Sequence, residues 1–517
     1  MLWGPLPCPS VIIDPSPVDV AIIGGGPAGA AAACLLTRWG HSVSVLTRPG
    51  ASSSALGESL PPSTRKLLER IGFLSAVDEA GFVRSRGHTV WWGESQERVE
   101  EFSSDNTGYQ VFRRDLDRVL LDAAIAEGAR VQEGAVVKHV ELGQNAHHVA
   151  FVKDDSPLDL RARWVLDCSG RSGVVARREY RCREEGRNTV ALVGLWRRSA
   201  GWNVPDPTHT LVESFTDGWA WSVPVDDEQR YFTVMIDPRV TDMERGKDLA
   251  STYRSEMRKA KRLDALVAGE RMESAPWACS ASMYSASRYS DERLLLVGDA
   301  ASFLDPISSF GVKKALASGW RAAVVVHTCL NNPDMETASL DLHETRERQI
   351  YASYLNKSAE VFGMAGAVHR HPFWTARSAT EGDHDEVDED GQLDIAVLRT
   401  DPGVLSAFDW LRRSPSIALG SGPGVTVVER PTIVGHDVRL EERVATPEMP
   451  SGIRYLRDVD VKHLLDLSPE SAQVPDLFEA YCRSTTPVIL PNFLGALSVM
   501  LAKGILVDRE AGGPAFG

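Results

Sequence analysis

Residues 18–29 read Val-Asp-Val-Ala-Ile-Ile-Gly-Gly-Gly-Pro-Ala-Gly, and this run decides the fold. Its first half is dominated by β-branched and apolar residues, the pattern of a strand buried on both faces of a parallel sheet. Alanine-rich residues 30–39 follow, then a second apolar stretch, Ser42-Val-Ser-Val-Leu46. Gly24 permits a tight turn, Gly26 lets a pyrophosphate approach the backbone, and Gly29 lets the helix pack closely on the strand. Pro27 and Ala28 start the helix on whose N-terminus the phosphates would sit. Strand, turn, helix and strand in this order predict a dinucleotide-binding α/β unit of Rossmann type. The acidic residue that usually ends the second strand is replaced by Thr47, followed by Arg48. A hydroxyl at that place can still hydrogen-bond a ribose.

Outward from this run, the organisation is legible in coarse form. Residues 1–17 carry five prolines and are expected to be a flexible arm. From residue 18 to about residue 375, strands and helices alternate around a β-rich insertion at about 190–290. Residues 376–400 are acidic and poor in apolar side chains, the composition of a solvated linker, and they lack the ligand spacing of an EF-hand. Residues 401–517 resume apolar patterning and predict a small, mainly helical module of winged-helix-like shape. That shape leaves open a substrate-binding appendage, a dimerisation element or a lid.

Composition excludes several classes of function. The chain has 517 residues, 43% of them hydrophobic, enough for two or three packed units. A net charge of −15 disfavours nucleic acid and anionic membrane as partners. The start lacks the basic-then-apolar pattern of a secretory signal, and no uninterrupted 18-residue apolar run occurs later. Seven scattered cysteines without a C-x-x-C pair predict reduced thiols, a cytoplasmic location and no zinc site. His369 and His371 stand without further clustered ligands and predict no metal.

Two later segments, Trp164-Val-Leu-Asp167-Cys-Ser-Gly170-Arg171-Ser-Gly173 and Leu294-Leu-Leu-Val-Gly298-Asp299-Ala300-Ala, read as strands running into glycine turns. With Val111-Phe-Arg-Arg-Asp-Leu-Asp117, they resemble the flavin-dependent monooxygenase and halogenase superfamily. The resemblance implies FAD. It places Asp299, after Gly298, on the ribityl or ribose hydroxyls, and Arg113 beside the cofactor with Asp117 as its acidic partner. Gly57-Glu58-Ser59-Leu60-Pro61-Pro62, Gly218-Trp219-Ala-Trp221-Ser-Val-Pro224 and Asp305-Pro306 with Gly311 resemble the halogenase branch, marked by W-x-W-x-x-P. This adds Ser59, Pro306, Gly311 and Val312 to the implied cofactor residues.

Halogenases of that branch depend on a lysine that carries the halogen, yet no lysine occurs between Lys66 and Lys138. Lys66 falls in an expected helix, Ser63 to Arg70, and Arg84 and Arg86 occupy the stretch where the lysine is expected. An arginine, always protonated, is a poor substitute. Phe310 replaces the hydroxyl residue before Gly311, although main-chain N–H groups of 310 and 311 remain open as a halide site. Trp91-Trp92-Gly93, the loop from Ser308 to Lys314 and the C-terminal module look most similar to the LodB, GoxB and QhpG type of flavoprotein. Those enzymes hydroxylate a tryptophan of a partner protein during quinone-cofactor maturation.

That resemblance implies a monooxygenase acting on an aromatic ring of a protein or peptide through a flavin C4a-hydroperoxide. It also implies O2 and a separate flavin reductase as partners. A halogenase, a small-molecule hydroxylase and a non-catalytic FAD-binding escort stand as alternatives. The ring is expected between Trp196, Trp219, Trp221 and the Trp91-Trp92 segment, with core packing the competing reading for Trp221 and Trp91. Glu58 and Glu213 are candidates to hydrogen-bond or deprotonate an indole or phenol, and Trp91 and Phe310 complete the candidate catalytic set.

Overall fold

The computed structural model describes residues 11–12, 16–50, 56–93, 96–184, 186–242, 246, 248–378, 398 and 400–509. The acidic stretch 379–391 lies outside the described residues, as does most of the proline-rich start. Two residues of the expected arm are ordered into the fold: Val11 and Ile12 pair in parallel with Leu158 and Asp159. The chain divides into two compact units, residues 1–334 with 343–382, and residues 335–342 with 383–517.

The centre of the first unit is a parallel ladder. Val18–Ile23 lies between Val43–Thr47 and Ser156–Asp167, with Arg130–Glu133 beyond the former and Leu294–Leu296 beyond the latter. The register pairs Ile23 with Leu46 and with Asp167, and Asp167 with Leu296. The loops that follow these residues therefore open on one edge of the sheet, the carboxyl edge where α/β sheets hold ligands. Pro27–Arg38 lies almost wholly buried, as its alanines foretell. A β-carbon added at Gly319 of the helix Gly311–Asn331 would stand 2.3 Å from the Ala28 carbonyl oxygen, so these helices meet backbone to backbone.

The second layer is an eight-stranded sheet. It runs Arg271–Met272, Val190–Arg197, Gln229–Ile236, Gly218–Pro224, Thr210–Phe215, Gly87–Trp91, Arg98–Glu101, with Trp277–Ser280 also paired to Val190–Arg197. The insertion thus draws two strands from before residue 102, outside the span expected for it. Alternation along the strands gives the sheet two apolar faces. One, with Trp196, Phe215, Ala220 and Phe232, forms a core with Tyr253 and Leu263 of the helices Leu249–Met257 and Lys261–Val267. The other carries Ala191, Val193, Trp219, Trp221 and Met235.

The second unit packs the helices Pro402–Arg413, Val461–Leu467, Val474–Ser484 and Leu490–Ala502 around Leu411, Leu464, Leu477 and Phe493. It also contains a hairpin, Thr426–Val434 against Asp437–Ala445, whose two-residue turn begins at Gly435 with φ +64°. The expected module was mainly helical, whereas the observed one also contains this long hairpin. Among the described residues, no helix is long and apolar enough to cross a membrane.

Candidate active site

A cavity of about 930 Å3 lies in the first unit, between the carboxyl edge of the parallel ladder and the inner face of the second sheet. Its phosphate end is built by glycine. Gly24 has φ +106°, and a β-carbon there would sit 2.4 Å from the Cys168 carbonyl oxygen. One at Gly29 would sit 1.9 Å from the Gly24 oxygen. Above Gly26 there is room, the nearest atom to such a carbon being an Asp117 carboxylate oxygen at 3.9 Å. No side chain caps the helix Pro27–Arg38, so its first N–H groups are left for a ligand anion. Thr47 and Arg48 line the same end.

Further along, Arg113 donates from Nε and Nη2 to the two Asp117 carboxylate oxygens at 3.1 and 3.2 Å, and from Nη1 to Glu58 at 3.3 Å. Burial pushes the Glu58 and Asp117 carboxyls above the usual carboxylate range, while the Arg113 guanidinium beside them opposes that rise. Asp299 is set by its backbone: its carbonyl accepts from the Tyr284 hydroxyl at 2.6 Å, and the Gly298 N–H donates to Ser318 Oγ at 2.8 Å. Its Oδ1 is buried with no hydrogen-bond partner. A buried acceptor without a donor calls for a ligand, and the hydroxyls of a dinucleotide cofactor supply donors. Pro306, Ser309, Gly311 and Val312 close this end. Asp305 accepts from the Ile307 N–H at 3.0 Å, and burial pushes its carboxyl up to about 6.

The FAD binding domain family matches residues 17–349. The chain belongs to this family. The flavin-dependent halogenase armH2 of Armillaria mellea is 26% identical over 424 residues, covering 76% of this chain and 80% of that protein. Tryptophan 2-halogenase of Chondromyces crocatus is 28% identical over 375 residues, 70% of this chain and 71% of that one. Among solved structures, the flavin-dependent halogenase CmlS matches with a TM-score of 0.77 at 21% identity, over 97% of this chain and 98% of that one. The peptidyl tryptophan dihydroxylase QhpG matches with a TM-score of 0.67 at 23% identity, over 91% and 96%. These two likenesses are of fold. The cofactor is FAD, and the glycine cradle and the orphaned Asp299 oxygen fit it.

Other candidates are placed differently from expectation. Ser59 follows Glu58 on the strand Gly57–Leu60 and so faces the opposite way, accepting from Thr210 Oγ1 at 3.0 Å away from the FAD cavity. Glu213 pairs with Trp91 across two strands on the helix-covered face of the sheet. Its carboxylate, 7% exposed, accepts the Arg262 and Leu263 N–H groups at 3.0 Å, holding the start of Lys261–Val267. Trp91 packs on the core beneath, with the Arg262 guanidinium 5.4 Å from its ring, and Trp196 belongs to the same core. Phe310 turns from the cavity onto Tyr354, ring centroids 5.2 Å apart, and its N–H donates to Ser308 Oγ at 3.3 Å.

Trp221 lines the cavity, whereas Trp92 and Trp219 join Trp374 in an aromatic cluster. Trp92 sits edge-on to Trp374 at 5.3 Å and to Trp219 at 6.1 Å. His369 bonds Ser214 Oγ at 3.0 Å and stacks on Trp374, and His371 accepts the Phe373 N–H at 3.2 Å. Arg84, in the stretch where a lysine was sought, is ion-paired to Asp78 at 2.6 Å over the Tyr109 ring. No described residue lining the cavity is a lysine.

Arg171 lines the cavity and was not among the residues expected to do so. Its Nη1 donates to the Ser280 carbonyl at 2.7 Å, and its guanidinium lies 5.5 Å from the Phe303 ring. The fully buried Asp167 shapes this turn by accepting the Ser169, Val175 and Ala176 N–H groups. The sequence signal was a charged residue between Gly170 and Gly173, which have φ of +64° and +51°.

Proposed function

We propose that the chain is an FAD-dependent monooxygenase that hydroxylates an aromatic ring, and that the ring is a tryptophan of a protein or peptide. The observation that carries this reading is the absence of lysine from the described cavity wall and from the sequence between Lys66 and Lys138. A halogen carrier must be an amine that can lose its proton and attack, and the nearby arginines do not. The Phe310 N–H, one of two candidate halide donors, is engaged by Ser308. The peptide assignment draws on the resemblance of Trp91-Trp92-Gly93 and Ser308 to Lys314 to the QhpG type.

FAD held by the glycine cradle and Asp299 would, with O2 and electrons from a separate reductase, supply the electrophilic oxygen. The chain supplies dryness and aim. Trp221, Met235, Phe303 and Leu304 give the ring an apolar wall. Arg113 holds Glu58 in place, and Glu58, with its carboxyl held above the usual range, accepts the proton that the ring gives up. Halogenation is the second reading, favoured by the curated halogenases at 26–28% identity.

Intact-mass spectrometry of a tryptophan-bearing protein or peptide substrate tests the choice, with enzyme, FAD, a flavin reductase, NADH, O2 and chloride. A gain of one or two oxygen atoms supports hydroxylation. Replacement of hydrogen by chlorine, with its isotope pattern, overturns it.

A further inference from the structure

Lys314 is the lysine among the described buried side chains, 4% exposed on the helix Gly311–Asn331. Burying an ammonium is costly, and an apolar residue of like volume would avoid the cost. Its contacts show what the charge is used for. Nζ donates to the Gly298 carbonyl at 2.9 Å and to the Ser302 carbonyl, the two ends of the turn that carries Asp299. One helical turn further along the same face, Ser318 Oγ accepts the Gly298 N–H at 2.8 Å. Gly298 sits at φ +63°, and a β-carbon there would stand 3.0 Å from that of Ala28, so the turn is also pressed against the phosphate-end helix. One helix face therefore grips the Gly-Asp turn at both ends, through a positive donor that no neutral aliphatic residue replaces. The acidic groups facing Lys314 are Asp299 and Glu347, the latter ion-paired to Arg321 at 2.9 Å.

We propose that Lys314 is a positioning residue for the cofactor: with Ser318 it clamps the Gly298–Ser302 turn so that the Asp299 carboxylate is held toward the FAD hydroxyls. The inference rests on the FAD assignment alone and is the same for hydroxylation and for halogenation. It says that Lys314 acts through Asp299, so their effects on FAD affinity are coupled.

The test is a double-mutant cycle on the full chain, reading FAD dissociation constants by fluorescence titration of the apoprotein and apoprotein stability by urea unfolding. Lys314→Met is expected to weaken FAD binding by about tenfold or more in the wild-type background, the loss of charge-assisted hydrogen bonds to the turn. In the Asp299→Ala background it is expected to weaken binding by less than about threefold, because the group being positioned is gone. Apoprotein stability of Lys314→Met is expected to fall, since the Gly298 and Ser302 carbonyls lose their donor, and FAD dissociation constants are therefore read under conditions where each apoprotein is folded. Ser318→Ala, which loosens the other grip on the same turn without touching the charge, is expected to show the same coupling and is read in its place if Lys314→Met does not fold. Equal losses in both backgrounds, or FAD affinity unchanged by either variant, overturn the proposal.

Discussion

Replacing Arg113 by methionine removes the cation between two carboxylates that line the FAD cavity. Arg113 makes three hydrogen bonds, two to Asp117 and one to Glu58. The side chains of Arg113, Glu58 and Asp117 are 23%, 27% and 13% exposed, so water reaches all three only in part. Breaking a buried pair by deleting one partner costs about 3–5 kcal/mol. The partial exposure places this case near the lower end, about 3 kcal/mol. The cost depends on pH, and its sign follows from the carboxyls left behind. Burial already raises both above their usual range, and without Arg113 they rise further. The folded variant then binds more protons than its unfolded chain, so its stability relative to wild type is retained in acid. It is lost as pH climbs through the raised folded values, by up to about 1.4 kcal/mol per pH unit for each proton.

Urea unfolding of the apoproteins, followed by tryptophan fluorescence, measures this at several pH values between 5 and 8 or so. The gap between wild type and Arg113→Met is expected to be small at the acidic end and near about 3 kcal/mol at the alkaline end. FAD affinity is expected to fall by at least about tenfold, because the carboxylates are no longer held off the cofactor. A gap that widens toward acid, or one below about 1 kcal/mol at the alkaline end, would refute the assignment of Arg113 as the cation compensating this pair.

Gly24→Ala sets a β-carbon 2.4 Å from the Cys168 carbonyl at φ +106°, so the variant is expected to purify largely free of FAD, as its flavin absorbance would report. Glu213→Gln weakens a helix cap remote from the chemistry: a stability loss of about 1 kcal/mol with unchanged turnover and FAD affinity is expected, and loss of turnover alone would return Glu213 to the active site. Glu58→Gln removes a buried carboxyl whose value is raised, so the variant gains stability over wild type as pH rises, while turnover of the aromatic substrate falls and the carboxylate limb of the pH–rate profile disappears. Trp221→Ala opens the cavity wall and is expected to raise KM for the aromatic substrate while leaving FAD affinity within about twofold, since Trp221 lines the apolar end.

Much of the cavity's phosphate end was legible because residues such as Gly24, Arg113 and Asp299 are fixed by their neighbours in sequence, whereas Ser59, expected beside the cofactor too, faces Thr210 instead. A strand followed at once by Gly24, Gly26 and Gly29 admits one backbone path, and Arg113 reaches Asp117 one helical turn away. The same holds for Gly298 and Asp299 at the end of a short apolar strand. The substrate half was not legible in this way, because there the sequence gives a residue's parity on a strand without giving the strand's partner. Glu58 and Ser59 are adjacent, yet one faces the cavity and the other faces Thr210. Glu213 and Trp91 were grouped with the tryptophans of the ring site, and a paired register put both on the face that the helices cover. The hairpin at 426–445 was hidden by Pro431, tolerable because a two-stranded ribbon leaves each strand an edge.

The residues missed altogether share one physical feature: their partners are far away in sequence. Arg171 reaches the Ser280 carbonyl, and Lys314 reaches the Gly298 and Ser302 carbonyls across a turn formed by a different element. A lysine amid Val312, Ala315 and Leu316 was nonetheless a usable clue, since a cation within an apolar stretch is buried only where something accepts its protons. The same reasoning bears on what the cavity wall does not contain. Halogenation by the route that the resemblance implies would need an amine within reach of the ring, and a lysine cannot be supplied from a distance as a hydrogen-bond acceptor can. It must itself stand on the wall. The lysines flanking the vacant stretch are Lys66, exposed on the helix Thr64–Ile71, and Lys138, on the outer strand Val136–Glu141, and neither lines the cavity. A stretch that holds Arg84 and Arg86 and no lysine thus differs in available chemistry from one that carries an amine, which is the ground on which the proposed hydroxylation rests.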